Sequence, residues 1–499
     1  MPRMVGGLHD EDFVFLTIVA IGVSLALQWI EPAAIGATLL LVWRLFFKPP
    51  FDTKQYRLPP KAPFGLIETI QNITTKQIIT FFLRVHQKVN CNVALLNFPV
   101  PKCNYTVLVV DADLTRDILN DKSTTKAEGI VKTFERVTDG ESQFFSNNGP
   151  RFYHARKAIA PAFSNSQINR MNGVTREKTE EWIQLRLEPM ASNGEPIDII
   201  HEMVELTLTI IMDAAFEYTL TKEERENLLT SLDITLREFI FSNPIKTTFG
   251  FLFPSVLRAR RKAKELMALA NNIIRAYRKN PNPTPGTVID TIVRNPNYRN
   301  DNERAADIIV LIIGGHETSA ASLAFFLREL AKNPSEQYIL QKQLREMNEE
   351  ERKDSELLRM YIRESTRLWP LSLPGPFRQV GRDFVVKSND PSERDIMIPK
   401  GSAVFMPIIC LFQNEAIFED HERFVPSRWE CPTEDMKKAW MPFGLGNRNC
   451  IGQSLATCEL QSILSRLCAN YNFEVVEEGS EDFSLILHPV GIRLKATKI

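Results

Sequence analysis

PFGLGNRNCIG, running from Pro442 to Gly452, sets one cysteine among three glycines and an arginine. The residues that follow, IGQSLATCELQSILSRLCANY, have the pattern of a helix, so Cys450 falls at or just before a helix N-terminus. Free N–H groups and a partial positive charge at such an end favour a thiolate. Gly444, Gly446 and Gly452 let the backbone wrap the sulfur, and Arg448 adds a positive charge that suits a carboxylate. A packed core thiol, a redox or zinc cysteine and the single anionic ligand of a large cofactor all compete for this turn. The other six cysteines form no C-x-x-C pair, and a zinc ion needs more ligands than the neighbourhood offers. Six scattered thiols are read as small buried hydrophobes in a reducing compartment. One thiolate on a metal whose remaining ligands come from a cofactor fits best, as when cysteine binds haem iron.

The chain has 499 residues, a net charge of −1 and 44% hydrophobic residues. It can bury a large core, and its charge balance argues against nucleic acid as a partner. Residues 13–30, FVFLTIVAIGVSLALQWI, are apolar over about the length of a membrane span. A second apolar run follows from Ala33 to Trp43. Asp10, Glu11 and Asp12 precede these runs, whereas Lys48, Lys54, Arg57 and Lys61 follow them. The positive-inside rule then puts the body in the cytoplasm. The expected organisation is an N-terminal segment 1–12 on the lumenal side, an anchor 13–47 of one span or a hairpin, a proline-rich hinge 48–65 and a globular body 66–499. An organelle-targeting leader is the alternative to this anchor.

Two further stretches carry chemistry. A long helix is expected from Glu303 to about Lys332, capped by Asp301 or Asn302. Its run from Ile308 to Ile313 is apolar all round, as in a helix buried on every side. Gly314 and Gly315 interrupt it at a cost of about 1 kcal/mol each. Either a flat ligand approaches the backbone there, or two helices meet closely. Glu317 and Thr318 follow and suit proton delivery into a dry site. His316 is read as structural or solvent-facing. In SELLRMYIRESTRLWP, capped by Ser355, Glu364 and Arg367 share one helix face.

Together these stretches resemble the cytochrome P450 family of haem-thiolate monooxygenases. Phe443, Gly446, Arg448, Cys450 and Gly452 match every fixed position of F-x-x-G-x-R-x-C-x-G. Glu364 and Arg367 match E-x-x-R, and Arg428 in FVPSRW completes the family's buried triad. Gly314 to Thr318 resemble its oxygen-binding stretch. The resemblance implies a mainly α fold with small β-sheets. It makes Cys450 the axial ligand of haem b, and Arg448, Arg378 and Arg156 propionate contacts. Phe443 and Gly444 would lie beside the sulfur, and Gly314 and Gly315 beside the ring. Thr318 and Glu317 become catalytic. The implied partners are dioxygen, a small lipophilic substrate, a lipid membrane and an NADPH-dependent flavoprotein reductase, since no nucleotide-binding fingerprint is present. Lys437 and Lys438 are candidates for its docking. A haem-thiolate isomerase or dehydratase and a non-catalytic haem protein are the rival readings. Two departures stand out: Phe152 replaces the tryptophan of W-x-x-x-R, and Phe412-Gln413-Asn414-Glu415 replaces H-R-D-P. The phenylalanine-rich stretches 239–241 and 249–254, followed by Arg258 to Lys262, are read as core packing or as a lid dipping into the membrane. That lid would admit a terpenoid, fatty acid or sterol, or a charged group on a prenyl or acyl tail.

Overall fold

A computed structural model describes residues 52, 54–65, 68–69, 78–89, 91–98, 100, 103–240, 246, 249–372, 375–388 and 392–499. The expected anchor lies outside the described residues. Seven helices position the site: α1 (Ala112–Asn120), α2 (Ile199–Phe216), α3 (Lys222–Ile240), α4 (Pro254–Lys279), α5 (Asp301–Lys332), α6 (Glu356–Leu368) and α7 (Gln453–Asn470). The strands used below are β1 (Tyr56–Arg57), β2 (Val93–Leu96), β3 (Thr106–Val109), β4 (Thr125–Lys126), β5 (Phe377–Gln379), β6 (Phe384–Val386), β7 (Asp395–Ile398), β8 (Ala403–Phe405), β9 (Ser480–Phe483) and β10 (Leu487–Val490).

Helix α5 is the axis of the molecule. It is long and apolar enough to cross a membrane, yet most of that apolar stretch is buried in protein. It packs against α2, α4, α6 and α7. Its all-round apolar run is therefore that of a core helix. Its cap is Asn300, whose side chain accepts from the Glu303 N–H, so the cap expected at Asp301 or Asn302 moves back to Asn300 and the helix starts at Asp301 instead of Glu303. A shift of one or two residues is usual where Asn and Asp adjoin, since each can cap. His316 is buried, with Nδ1 2.7 Å from the Ile312 carbonyl. Of its two expected settings it takes the structural one. Ser355 caps α6 as expected, accepting from the Leu358 N–H at 3.2 Å.

The β structure is small. Five strands run in the order β2-β3-β8-β5-β4, with β3 and β8 parallel and the other pairs antiparallel. Strands β1, β7 and β6 form a second sheet, and β9 and β10 a hairpin that lies on α5. The proline strap 48–65 departs from the hinge expected of it. From Tyr56 onward it belongs to the body: β1 pairs with β7, and Lys61 bridges Leu95. Proline donates no N–H, but its carbonyl still accepts, and Pro60 takes the Leu95 N–H at 2.8 Å. Ala62 and Phe64 are buried in the core beside Phe81.

Candidate active site

The cysteine turn is closed by a 2.8 Å bond from the Cys450 N–H to the Phe443 carbonyl. Gly444 and Gly446 both have positive φ, which a glycine adopts without strain. Gly446 is also pressed against α1: a Cβ there would stand 2.2 Å from the Leu119 carbonyl oxygen. That glycine therefore serves backbone packing, not the wrapping of the sulfur. Gly452 caps α7, and a Cβ there would lie 3.9 Å from Cys450 Sγ. The Cys450 thiol is set deep in the protein and yet uncovered. Burial pushes its pKa up, while the Gly452 N–H and the positive charge of Arg156 pull it back.

Around this thiol lies a cluster of cations. Arg156 donates to the Asn449 side chain, one residue before the cysteine. Arg448 donates to Asn148 Oδ1 at 2.8 Å and the Ser146 carbonyl at 2.7 Å. Its guanidinium lies 3.2 Å from the Phe152 ring centre, so the phenylalanine that replaces tryptophan supplies a stacking face instead of an N–H. Arg378, on β5, is pushed down to about 10 by burial. Burial, with Arg378 and Arg156 nearby, pushes Arg448 down to about 9. Lys126, which sequence reasoning missed, joins them. The β4–β5 register sets it directly opposite Arg378, and burial with Arg448 and Arg378 drives its pKa well down. Like charges directly opposed across strands are destabilising. Among the described residues none of these four cations has an ion pair with an acid. Lys126 has no sequence motif; only the strand pairing reveals it.

A second group sits on α5. The two glycines divide the alternatives left open for them. A Cβ on Gly314 would meet nothing within 4 Å, so bare backbone opens onto space in the middle of a core helix. A Cβ on Gly315 would stand 2.7 Å from Ile211 of α2, which corrects its expected place beside a ring to a helix–helix contact. Successive helix residues point about 100° apart, so neighbours need not share a face. Thr318 Oγ1 donates to the Gly314 carbonyl at 2.8 Å. Glu317 is pushed up to about 7, by burial first and then by Asp233. Ser319 donates to Glu459 of α7 at 2.6 Å, tying the helix of the acid–hydroxyl pair to the helix after the cysteine.

The third group holds the scaffold. Glu364 and Arg367 are 0% exposed and paired at 2.8 Å, and Arg428 reaches Glu364 at 3.0 Å. Arg367 also donates to the carbonyls of Phe412, His421 and Arg423. The segment that departs from H-R-D-P thus contributes a backbone acceptor, for which its side chains do not matter.

A family model described as Cytochrome P450 matches residues 59–498. The chain belongs to the cytochrome P450 family. It is accordingly a haem-thiolate monooxygenase with haem iron as cofactor. Cytochrome P450 6a2 of Drosophila melanogaster is 25% identical over 435 residues, covering 78% of this chain and 84% of that protein. Cytochrome P450 6j1 of Blattella germanica is 23% identical over 469 residues, covering 88% and 89%. A solved cytochrome P450, CYP102L1, matches the fold with a TM-score of 0.72 at 22% identity, over 89% of this chain and all of that one. The described residues suit an iron porphyrin. They offer an uncovered thiol for the iron, unpaired cations for two carboxylates and a stretch of bare helix backbone for a flat ring.

Proposed function

We propose that this P450 oxidises a small lipophilic substrate of terpenoid, fatty-acid or sterol type, with electrons relayed from NADPH by a separate flavoprotein reductase. The observation that carries the site is the exposed Cys450 beside a cluster of cations that have no acidic partner among the described residues. Cys450 holds the iron. Arg448, Arg378, Arg156 and Lys126 hold the two propionates, and Phe443 and Gly444 shape the turn beside the sulfur. When bound, the haem supplies dioxygen activation and transfer of one oxygen atom to the substrate. The chain's own part is to position and to move protons. Gly314 leaves room beside the ring, and Thr318 keeps its hydroxyl on the Gly314 carbonyl. Glu317, titrating near neutrality, passes protons toward that hydroxyl. An isomerase or dehydratase would have no need of this acid–hydroxyl pair.

The exposed surface supports entry from a membrane. Phe249, Phe251, Leu252 and Leu257 are exposed, Phe251 at 61%, and Arg258 and Arg261 beside them are exposed too. Phe239 and Phe253 are buried, so the phenylalanine-rich region splits between core and surface. Apolar side chains flanked by cations suit a lid at lipid headgroups. With residues 13–47 as anchor, the body stands on the cytoplasmic face of the endoplasmic reticulum. Lys437 and Lys438 each pair with an acid, Glu434 and Asp113, which weakens them as a docking patch for the reductase.

The reduced, carbon-monoxide-bound protein should give the spectrum of thiolate-ligated iron, and Cys450→Ser should abolish it; a wild-type spectrum without that signature refutes the assignment. Thr318→Ala should raise the NADPH consumed per product, and matched consumption and product would refute the role of Thr318. Spectral titration with terpenoids, fatty acids and sterols tests the substrate class.

A further inference from the structure

The β9–β10 hairpin brings to Glu317 a residue that no motif singles out. His488 Nε2 lies 3.4 Å from Glu317 Oε1 and 2.8 Å from Ser484 Oγ. The hairpin register sets His488 directly opposite Asp482. Asp482 accepts from Arg237 Nη1 of α3 at 3.2 Å, and Arg237 also pairs with Asp233. Side-chain exposure is 57% at Asp233, 35% at Arg237 and 12% at Asp482, then 17% at His488 and 20% at Glu317. A row of polar side chains thus runs from the surface to the acid beside Thr318.

We propose that His488 is the relay that reprotonates Glu317, carrying protons inward from the Asp482–Arg237 edge of the fold. The groups facing His488 are Glu317 and His316 from α5, Asp233 and Arg237 from α3, and Asp482 from β9. Burial, then Arg237, push His488 down to about 4, so at neutral pH its ring keeps one donor and one acceptor nitrogen. In the relay, a proton leaves the Glu317 carboxyl toward the Thr318 hydroxyl. The His488 Nε2–H then donates its proton to Glu317 Oε1, and Nδ1 takes one from water on the Asp482 side. One proton enters for each that leaves, and exchange with water restores the first tautomer. Ser484 Oγ, at 2.8 Å, is the resting partner of Nε2, and the ring turns from it to Glu317, 3.4 Å away, once that acid has given up its proton. The relay rests on the reading of Glu317 as the acid that serves Thr318.

The test is made on the haem-loaded full chain at rest. At pH 6 the carboxylic C=O band of Glu317, identified by its loss in Glu317→Gln, is followed by infrared after rapid mixing into D₂O. In His488→Phe the band should persist and its deuteration should slow about 10-fold or more. His488→Gln, which keeps size and polarity but cannot pass a proton through a ring, should slow it likewise and stands in if the Phe variant does not load haem. Deuteration at the wild-type rate in either variant overturns the relay, as does the absence of a Glu317 band at pH 6. The carbon-monoxide spectrum is recorded on the same samples. Loss of thiolate ligation in the wild type would instead overturn the reading of Cys450.

Discussion

Replacing Glu364 by glutamine changes one atom at the centre of the scaffold. Glu364 accepts five hydrogen bonds: from Arg367 Nε and Nη2, the Val425 N–H, Arg428 Nε and Trp429 Nε1, at 2.8–3.0 Å. A glutamine NH₂ in place of Oε2 would face the donors of Arg367 and Trp429. In place of Oε1 it would face three donors, so at least two bonds are lost in either orientation. Each bond to a charged group contributes about 1.5–3 kcal/mol. Breaking a buried ion pair costs about 3–5 kcal/mol because the remaining charge stays buried, here on a fully enclosed Arg367. These costs overlap, so about 4 kcal/mol is expected in total. Unfolding entropy for the matched domain, residues 59–498, is about 0.9 kcal/mol/K at the usual value per residue. The thermal midpoint should therefore drop by about 4–5 °C. The assay is loss of the thiolate-type spectrum on heating at a fixed rate, with the yield of haem-loaded protein. Arg363→Gln is the control, since its pair with Glu356 is exposed and should shift the midpoint by under about 1 °C. A Glu364→Gln midpoint within about 1 °C of wild type would refute the reasoning.

The two glycines of α5 should respond in opposite ways. Gly315→Ala drives a methyl into Ile211 and should cost about 1–3 kcal/mol, whereas Gly314→Ala should leave the thermal midpoint unchanged or raised while altering substrate-binding spectra. Lys126→Met should loosen the cofactor, read as haem transfer to apomyoglobin at several times the wild-type rate. Glu459, like Glu317, is pushed up to about 7 by burial, from an ordinary 4.5. A folded pKa above the unfolded one gives stability that is whole below about 4.5 and lost as pH rises through 7. Most of that loss falls below pH 6, so stability should be lower at pH 8 than at pH 6 by about 1.3 kcal/mol for each acid, with a matching drop in the midpoint. Glu459→Gln should flatten that slope in a pH series of melts.

The cysteine turn, the Glu364–Arg367 pair and the apolar axis of α5 were legible because each is local: a few neighbouring residues state the whole requirement. What stayed hidden depends on how distant segments meet. Gly314 and Gly315 look alike in sequence, and only the position of Ile211 on α2 separates them. Lys126 and Arg378 are 252 positions apart and become neighbours through a two-residue strand pairing. His488 sits in an ordinary hairpin until that hairpin lies on α5. The strap from Tyr56 to Phe64 read as a hinge because proline density signals stiffness, and stiffness does not distinguish a free linker from a docked one.

The opposition of Lys126 and Arg378 bears on how the protein is assembled. The edge of the five-stranded sheet closes against its own repulsion, so the last strand pairing is weakest in a chain that has not met a doubly charged anion. Loading the cofactor and sealing that edge then become one event.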